Sequence, residues 1–202
     1  MKTLVAYFSH AGQNYVNGGV AELEHGNAEV LAGFAAQACG GDLFHIERVE
    51  PYPAEYKACV KESMAELKVK ARPELARDVD VSGYDRVVVV FPNWCGTMPM
   101  PVYSFLEGHD FAGKEIWPLC THEGSGMGQI EQHVAKACPG ATVIEGLAIK
   151  GSNAAASADA VAAWLAYRLT LIHAECPARD FGFRAGHFLM SWAWPRPRSP
   201  RP

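Results

Sequence analysis

Short apolar runs alternate with longer amphipathic stretches along this chain. Five of the runs predict β-strands, at residues 3–8, 42–46, 86–91, 115–120 and 142–148. The run at 87–91 is unbroken and rich in β-branched side chains, which is typical of a central strand covered on both faces.

Between these runs, apolar side chains recur at the spacing of an α-helix. In the first stretch Leu31 and Ala35 share a face, and Gly40 follows as a stop signal. Four more stripes predict helices, marked by Tyr56, Val60, Met64 and Leu67; by Val102, Phe105 and Leu106; by Ile130, Val134 and Ala137; and by Val161, Trp164 and Leu165. Strand alternating with helix predicts an α/β fold, a doubly wound five-stranded parallel sheet with helices on both faces.

Length and charge divide the chain into two unequal parts. With 202 residues, 49% hydrophobic and 20% charged, it is long enough for one ordinary domain, which we place at residues 1–172. Residues 173–202 form a Pro/Arg/aromatic C-terminal extension that we expect to be loosely ordered. After Cys176 there are five arginines and one aspartate, a formal charge of +4. Because the whole chain has a formal charge of −4, residues 1–176 carry −8. An acidic body disfavours nucleic acid as a partner.

The cysteine pattern and the absence of a leader pattern indicate the cellular compartment we expect. Six cysteines show no CxxC pair and no Cys/His spacing suited to zinc, so we expect reduced thiols and no metal site. The alanine-rich stretch at 154–174 contains Asp159 and Arg168, which makes it a poor membrane span. No signal peptide is visible. The expectation is a cytoplasmic protein without a membrane span.

The segment after the first predicted strand has the chemistry of an anion site. Ser9 directly follows the strand, and Gly26, Asn27 and Ala28 open the following helix after a polar segment. A glycine turn at a helix amino terminus offers backbone N–H groups to an anion. The segment lacks both the GxGxxG pattern and the lysine of a P-loop, so a phosphomonoester suits it better than a nucleoside triphosphate. A simple capped turn is the alternative.

Two later segments, each following a predicted strand, are also unusual. The first reads Pro92, Asn93, Trp94, Cys95, Gly96, Thr97, and the second contains Thr121, His122, Gly124, Ser125 and Gly126. A tryptophan beside exposed backbone amides suits a planar heterocycle, although Trp94 as a packing residue is the alternative. The glycines of the second segment indicate close approach of the backbone to something. Ligands of open α/β sheets bind at the carboxyl ends of the strands, where the winding reverses.

Together these segments resemble the flavodoxin family, in the branch of small bacterial flavodoxin-like proteins. The resemblance lies in AYFSHAGQNY, GNAEVLA, FPNWCGTMPMPV and THEGSGMG, and extends from the first residue to about residue 164. It implies the strand order 2-1-3-4-5, for which flavodoxin is itself a standard example. It also implies one FMN, bound without a covalent link.

The resemblance assigns roles to the three segments. Ser9 and the turn at residues 26–28 would hold the FMN phosphate, residues 92–97 would lie against the isoalloxazine with Trp94 alongside, and residues 121–126 would contact its pyrimidine edge. Three departures from the family pattern are visible: residues 10–25 are inserted within the phosphate loop, Ala28 replaces a phosphate-binding threonine, and Cys95 replaces an aromatic residue.

Three functions remain open from the sequence. The first is an FMN oxidoreductase that passes electrons from NAD(P)H to a quinone-like or other small acceptor, with His122 as candidate catalytic proton donor. The second is an electron carrier that receives electrons from a redox protein, which the acidic body favours. The third is a flavin-free binding domain that keeps only the fold. A homodimer is compatible with each.

Overall fold

The computed structural model describes residues 1–175, with residues 169–175 described by their backbone alone. The strands within these residues are β1 (Thr3–Tyr7), β2 (Gly12–Val16), β3 (Gly19–Leu23), β4 (Asp42–His45), β5 (Arg86–Pro92), β6 (Glu115–His122), β7 (Thr142–Val143) and β8 (Leu147–Lys150). The α-helices in the described part of the chain are α1 (Asn27–Cys39), α2 (Tyr56–Val69), α3 (Met100–Gly108), α4 (Ile130–Ala137) and α5 (Ala158–Glu175), with a 3₁₀ helix at Gly151–Ala156. The predicted extension lies outside the described residues from residue 176 onward.

The main sheet is parallel, with the order β4-β1-β5-β6-β7. This confirms the predicted doubly wound fold and its order 2-1-3-4-5. The fifth predicted strand is divided, because β7 and β8 both pair with β6 and residues 144–146 separate them. Winding reverses between β1 and β5, so the carboxyl ends of these two neighbours border the crevice where a ligand is expected.

Alternate residues of each strand enter two separate cores. In β5, Val87 and Val89 face a core closed by α2, α3 and α4, whereas Val88 and Val90 face one closed by α1 and α5. All four side chains are fully buried. Since successive side chains of a strand point to opposite faces, the unbroken apolar run at 87–91 supplies both cores at once.

A buried ion pair lies at the amino ends of β5 and β6. The Arg86 side chain is 3% exposed and donates from Nε to Glu115 Oε2 over 2.9 Å. The indole Nε1 of Trp117 donates to the same oxygen over 3.1 Å, and the guanidinium lies 4.2 Å from the Trp117 ring centroid. This cluster fastens the end of the sheet opposite the crevice.

Two further findings concern the cysteines and the membrane. Every cysteine in the described part of the chain is free, and Cys59, Cys120 and Cys138 are buried, as expected for reduced core thiols. Burial raises the pKa of each of these three thiols to about 12. Within residues 1–175, none of the helices has the length and apolar character needed to cross a membrane.

Candidate functional site

A cleft of about 270 Å³ opens at the carboxyl ends of β1, β5 and β6. One side is formed by the segments that follow these strands, and the other by the β2–β3 hairpin and α2. Its lining consists of Ser9, His10, Gln13, Asn14, Tyr15, Asn27, Ala28, Tyr56, Cys59, Val60, Ser63, Pro92, Asn93, Trp94, Cys95, Thr121, His122, Glu123 and Gly151. The cleft therefore lies where the reversal of winding predicts a ligand.

The floor at one end is the amino terminus of α1. Ser9 Oγ accepts the backbone N–H of Glu29 over 3.1 Å, which joins the end of β1 to the first turn of the helix. The N–H groups of Asn27 and Ala28 have no partner within the helix because they belong to its first turn. The N-cap residue is Gly26, which provides no side-chain cap. This turn can therefore donate two backbone hydrogen bonds to an anion.

Gly26 is required there for space. Its φ of −66° is open to any residue, but a Cβ at this position would lie 2.2 Å from Ser9 Oγ and 2.5 Å from the His10 carbonyl oxygen. Only glycine allows the two sides of the turn to approach this closely.

The inserted segment at residues 10–25 folds as a β-hairpin, β2 paired with β3 in antiparallel register. Asn17 and Gly18 form its tip with φ of +50° and +90°, the pattern of the tight turns that suit hairpins. Gln13 N–H donates to the Ala54 carbonyl over 2.9 Å, and Gln13 Oε1 accepts the N–H of Tyr56 over 3.2 Å. The hairpin base is thereby attached to the start of α2.

The segment after β5 closes into a second tight turn. Trp94 and Thr97 exchange both backbone hydrogen bonds, at 3.0 and 3.1 Å, and Cys95 and Gly96 between them have positive φ. Cys95 is consequently exposed at the tip and lines the cleft. The Thr97 hydroxyl, 2.8 Å from both Tyr103 Oη and His133 Nδ1, attaches the turn to α3 and α4.

Trp94 forms an aromatic wall of the cleft, supported from behind by other rings. It meets Phe8, Tyr52 and His10 edge to face, with centroid distances of 5.4, 5.1 and 5.9 Å. The Arg48 guanidinium stacks 4.1 Å from the Tyr52 centroid, and the Tyr52 hydroxyl donates to Glu66. These contacts fix the plane of the indole before any ligand arrives.

Asn93 and His122 connect the segments after β5 and β6. Asn93 N–H donates to the Thr121 carbonyl over 2.7 Å and its Nδ2 to the Gly126 carbonyl over 2.8 Å. Its Oδ1 is buried and has no hydrogen-bond partner among the described residues. His122 Nδ1 accepts the N–H of Gly124 over 3.0 Å, so a neutral His122 ring carries its proton on Nε2.

The structure brings together nine of the residues singled out from the sequence: Ser9, Asn27, Ala28, Pro92, Asn93, Trp94, Cys95, Thr121 and His122. Others lie beside the cleft rather than in its lining, namely Gly26, Gly96, Thr97, Gly124, Ser125 and Gly126. For both groups, a direct contact with the cofactor stays a prediction.

Sequence reasoning missed the side of the cleft formed by the hairpin and α2. The Asn17-Gly18 dipeptide, followed by a second glycine, is a hairpin signal that could have revealed β2 and β3. The stripe at Tyr56 and Val60 predicts the helix but not the cleft, since these side chains are partly buried and line it, while Met64 is 56% exposed. The helix contributes Cys59 to the core instead.

The lining is nearly neutral. Among the described residues it contains no lysine or arginine, and Glu123 is its carboxylate. Burial lowers the pKa of His10, whose Nε2 is enclosed without a hydrogen-bond partner in the described chain. The cleft thus offers neutral donors and acceptors rather than fixed positive charge.

Three partly buried histidines predict a loss of stability on mild acidification. Burial lowers the pKa of His10, His45 and His133, so below the unfolded value of about 6.5 the unfolded chain binds protons that the fold excludes. Stability should fall as the pH drops from 7.5 to 5.5, measured as the urea midpoint. The His45 ring stacks on the Tyr7 ring with their centroids 4.7 Å apart. His45→Phe keeps a ring at this position without a titrating group and should reduce the loss of stability. A pH-independent midpoint would contradict this expectation.

The fold and the position of the cleft define a doubly wound α/β protein with a ligand site at its topological switch point. The sequence model of the flavodoxin family matches residues 2–167. The chain therefore belongs to the flavodoxin family.

Solved structures agree with this assignment. A candidate flavoprotein from Bacteroides eggerthii is 27% identical with a TM-score of 0.65, over 82% of this chain and 96% of that one. One from Bacteroides uniformis is 26% identical, also with a TM-score of 0.65, over 82% and 97%. A flavoprotein from Lactobacillus acidophilus, solved in complex with FMN, shares the fold at 19% identity and a TM-score of 0.57, over 75% and 95%. No curated protein matches the chain.

Proposed function

We propose that the cleft binds FMN and that the protein uses it to pass electrons from NAD(P)H to a quinone-like or other small acceptor. Family membership and the FMN complex of the Lactobacillus acidophilus protein support the cofactor. The observation that carries the proposal is the cleft itself, which joins an anion-binding helix terminus to an aromatic wall.

The residues present fit FMN at three points. The amino terminus of α1 offers the N–H groups of Asn27 and Ala28 to the phosphate, and the close approach at Gly26 keeps this turn compact. Trp94 would lie beside the ring system. The orphaned Asn93 Oδ1 is an acceptor that lacks a donor in the described residues, and the ring's N–H edge would supply one.

FMN supplies the redox chemistry when bound, and the chain's residues bind it and control protons around it. His122 would serve as proton donor through Nε2, since its Nδ1 already accepts the Gly124 N–H. Backbone amides of residues 121–126 other than Gly124, whose N–H already donates to His122, would stabilise negative charge on the reduced ring.

The hairpin and α2 leave room for an acceptor next to the flavin segments. Tyr56, Val60 and Ser63 face the cleft although none belongs to a flavin-binding segment of the family. A surface of one aromatic, one aliphatic and one hydroxyl side chain suits a small neutral planar molecule.

An electron carrier without its own substrate is the second candidate. The part of the lining formed by the described residues provides no lysine or arginine for the phosphates of a dinucleotide, and residues 1–176 carry a formal charge of −8. Acidic surfaces steer association with basic redox partners.

One experiment on the purified full chain separates these candidates. The protein is saturated with FMN, its visible spectrum is recorded, and NADH or NADPH is added with a quinone. Rapid oxidation of the nucleotide supports the enzyme, and full flavin occupancy with negligible turnover supports the carrier. A protein that takes up no FMN contradicts both and favours a flavin-free domain. A His122→Gln variant with an unchanged pH profile would remove the proton-donor role.

Restoring the missing hydroxyl at position 28 should tighten FMN binding. Ala28 lines the cleft at the first turn of α1, where the family pattern has a threonine. A hydrogen bond to a charged group contributes about 1.5–3 kcal/mol, so Ala28→Thr should lower the Kd roughly tenfold. Ala28→Val has the same shape without the hydroxyl and should bring no gain. Titration of FMN fluorescence measures both, and equal Kd values for the two variants would contradict the hydroxyl's role.

A further inference from the structure

The Glu123 carboxylate connects three segments around the cleft. Oε2 accepts the N–H of Asn17 at the hairpin tip over 3.2 Å. Oε1 accepts the N–H of Ser152 in the 3₁₀ helix over 2.7 Å. Glu123 itself belongs to the segment after β6, directly beyond His122. One side chain therefore holds the hairpin, the 3₁₀ helix and a proposed flavin-binding segment together.

Two neighbours complete this arrangement. Lys150 Nζ donates to Asn17 Oδ1 over 2.8 Å, a second attachment for the hairpin tip. A Cβ at Gly151 would lie 2.6 Å from Asn27 Nδ2 and 2.9 Å from Glu123 Oε1, so the carboxylate packs beside the first residue of α1. Glu123 thus lies next to the helix terminus that would hold the phosphate.

The course of the hairpin follows from these attachments. It leaves the sheet directly after Ser9 and returns directly before Gly26, so both of its ends lie at the phosphate turn. Its base is attached to Ala54 and its tip to Glu123, on two different sides of the cleft. Gln13, Asn14 and Tyr15 on its first strand line the cleft between these points.

We propose that Glu123 is a positioning residue that holds the β2–β3 hairpin across the phosphate end of the cleft, so that exchange of the bound cofactor requires release of the Asn17–Glu123 contact. The proposal rests on the proposed binding of FMN. A cofactor that must wait for the hairpin to open leaves slowly, because local opening precedes dissociation.

The test compares full-length variants in two measurements. The first is the rate of FMN release into excess apoflavodoxin, followed by flavin fluorescence. The second is amide hydrogen exchange of residues 12–23 without cofactor. Glu123→Ala should release FMN about tenfold faster and increase hairpin exchange, since two hydrogen bonds to a charged group are lost. Glu123→Gln keeps one acceptor oxygen and should fall between this variant and wild type.

Two further variants separate loss of the hairpin attachment from a general loss of structure. Asn17→Gly tolerates the positive φ of the turn and keeps the backbone N–H that Glu123 accepts, but removes the side chain whose amide oxygen Lys150 contacts, so release should accelerate about threefold. Asp80 also accepts a backbone N–H, from Ser82 over 2.8 Å, in the segment before β5. Asp80→Ala should change neither measurement.

The outcomes are distinct. Unchanged hairpin exchange and unchanged release in Glu123→Ala overturn the proposal, as does equal acceleration by Asp80→Ala. Should Glu123→Ala fail to fold, Glu123→Gln decides by the same two measurements. If wild-type protein binds no FMN, the proposed function fails. Hydrogen exchange then tests the role of Glu123 by itself: faster exchange of the hairpin in Glu123→Ala supports that role, and unchanged exchange overturns it.

Discussion

Replacing Gly26 with alanine should abolish useful FMN binding, with a rise in Kd of roughly a hundredfold or more, because two or more charge-assisted hydrogen bonds to the phosphate are displaced. The added Cβ would collide with Ser9 Oγ and with the His10 carbonyl, at 2.2 and 2.5 Å. The hydroxyl can rotate away, but the carbonyl belongs to the backbone that carries Ser9 into position. The turn must therefore open.

Gly33 in the same helix provides the matched control. It is exposed, and a Cβ there would meet nothing within 4 Å. Gly33→Ala should leave FMN binding unchanged and stabilise the protein by about 0.5–1 kcal/mol, since alanine favours the helix interior. Calorimetric titration with FMN and thermal melting measure both effects. A Gly26→Ala protein that binds FMN within threefold of wild type would show that this turn does not hold the phosphate.

Glu115→Ala should cost about 3–5 kcal/mol of unfolding free energy without changing FMN affinity, because it leaves a buried charge unpaired. Arg86 is 3% exposed, and Glu115 is its carboxylate partner in the described part of the chain. Trp117 Nε1 loses its acceptor as well. For a protein of this size the melting temperature should fall by roughly 6–20 °C.

The double variant Arg86→Met with Glu115→Gln tests the cause. It removes the buried charge and keeps an acceptor oxygen for Trp117, so it should be at least ~2 kcal/mol more stable than Glu115→Ala. Urea denaturation gives both values. A surface ion pair contributes at most about 1 kcal/mol. If the unfolding free energy of Glu115→Ala lies within that range of wild type, the pair is effectively solvated.

Gly26→Ala and Glu115→Ala act at opposite ends of the sheet, since Gly26 borders the cleft at the start of α1 and Glu115 begins β6. Arg86 begins β5 and the Trp94 turn follows its end, so a defect at one end need not reach the other. We expect Gly26→Ala to impair binding far more than stability, and Glu115→Ala to do the reverse. This separation is what a sheet with a structural end and a ligand end should show.

Much of the fold was readable from sequence because the main sheet is parallel and buried. A strand covered on both faces must be apolar without interruption, as at residues 87–91, and a helix between two such strands must carry an apolar stripe. These local patterns leave few topologies once right-handed crossovers are required. The segments after β1, β5 and β6 could be named for the same reason, since parallel strands bring their carboxyl ends to one edge.

What the sequence alone determined is therefore the doubly wound sheet, its family and the three segments at its ligand end. The tertiary structure decided the other side of the cleft. The residue pattern does not say which way the β2–β3 hairpin folds back, or that its tip meets Glu123, which is more than a hundred positions away along the chain. It also does not say that Tyr56 faces a cleft rather than the core. Both depend on contacts between distant segments, which local periodicity does not encode.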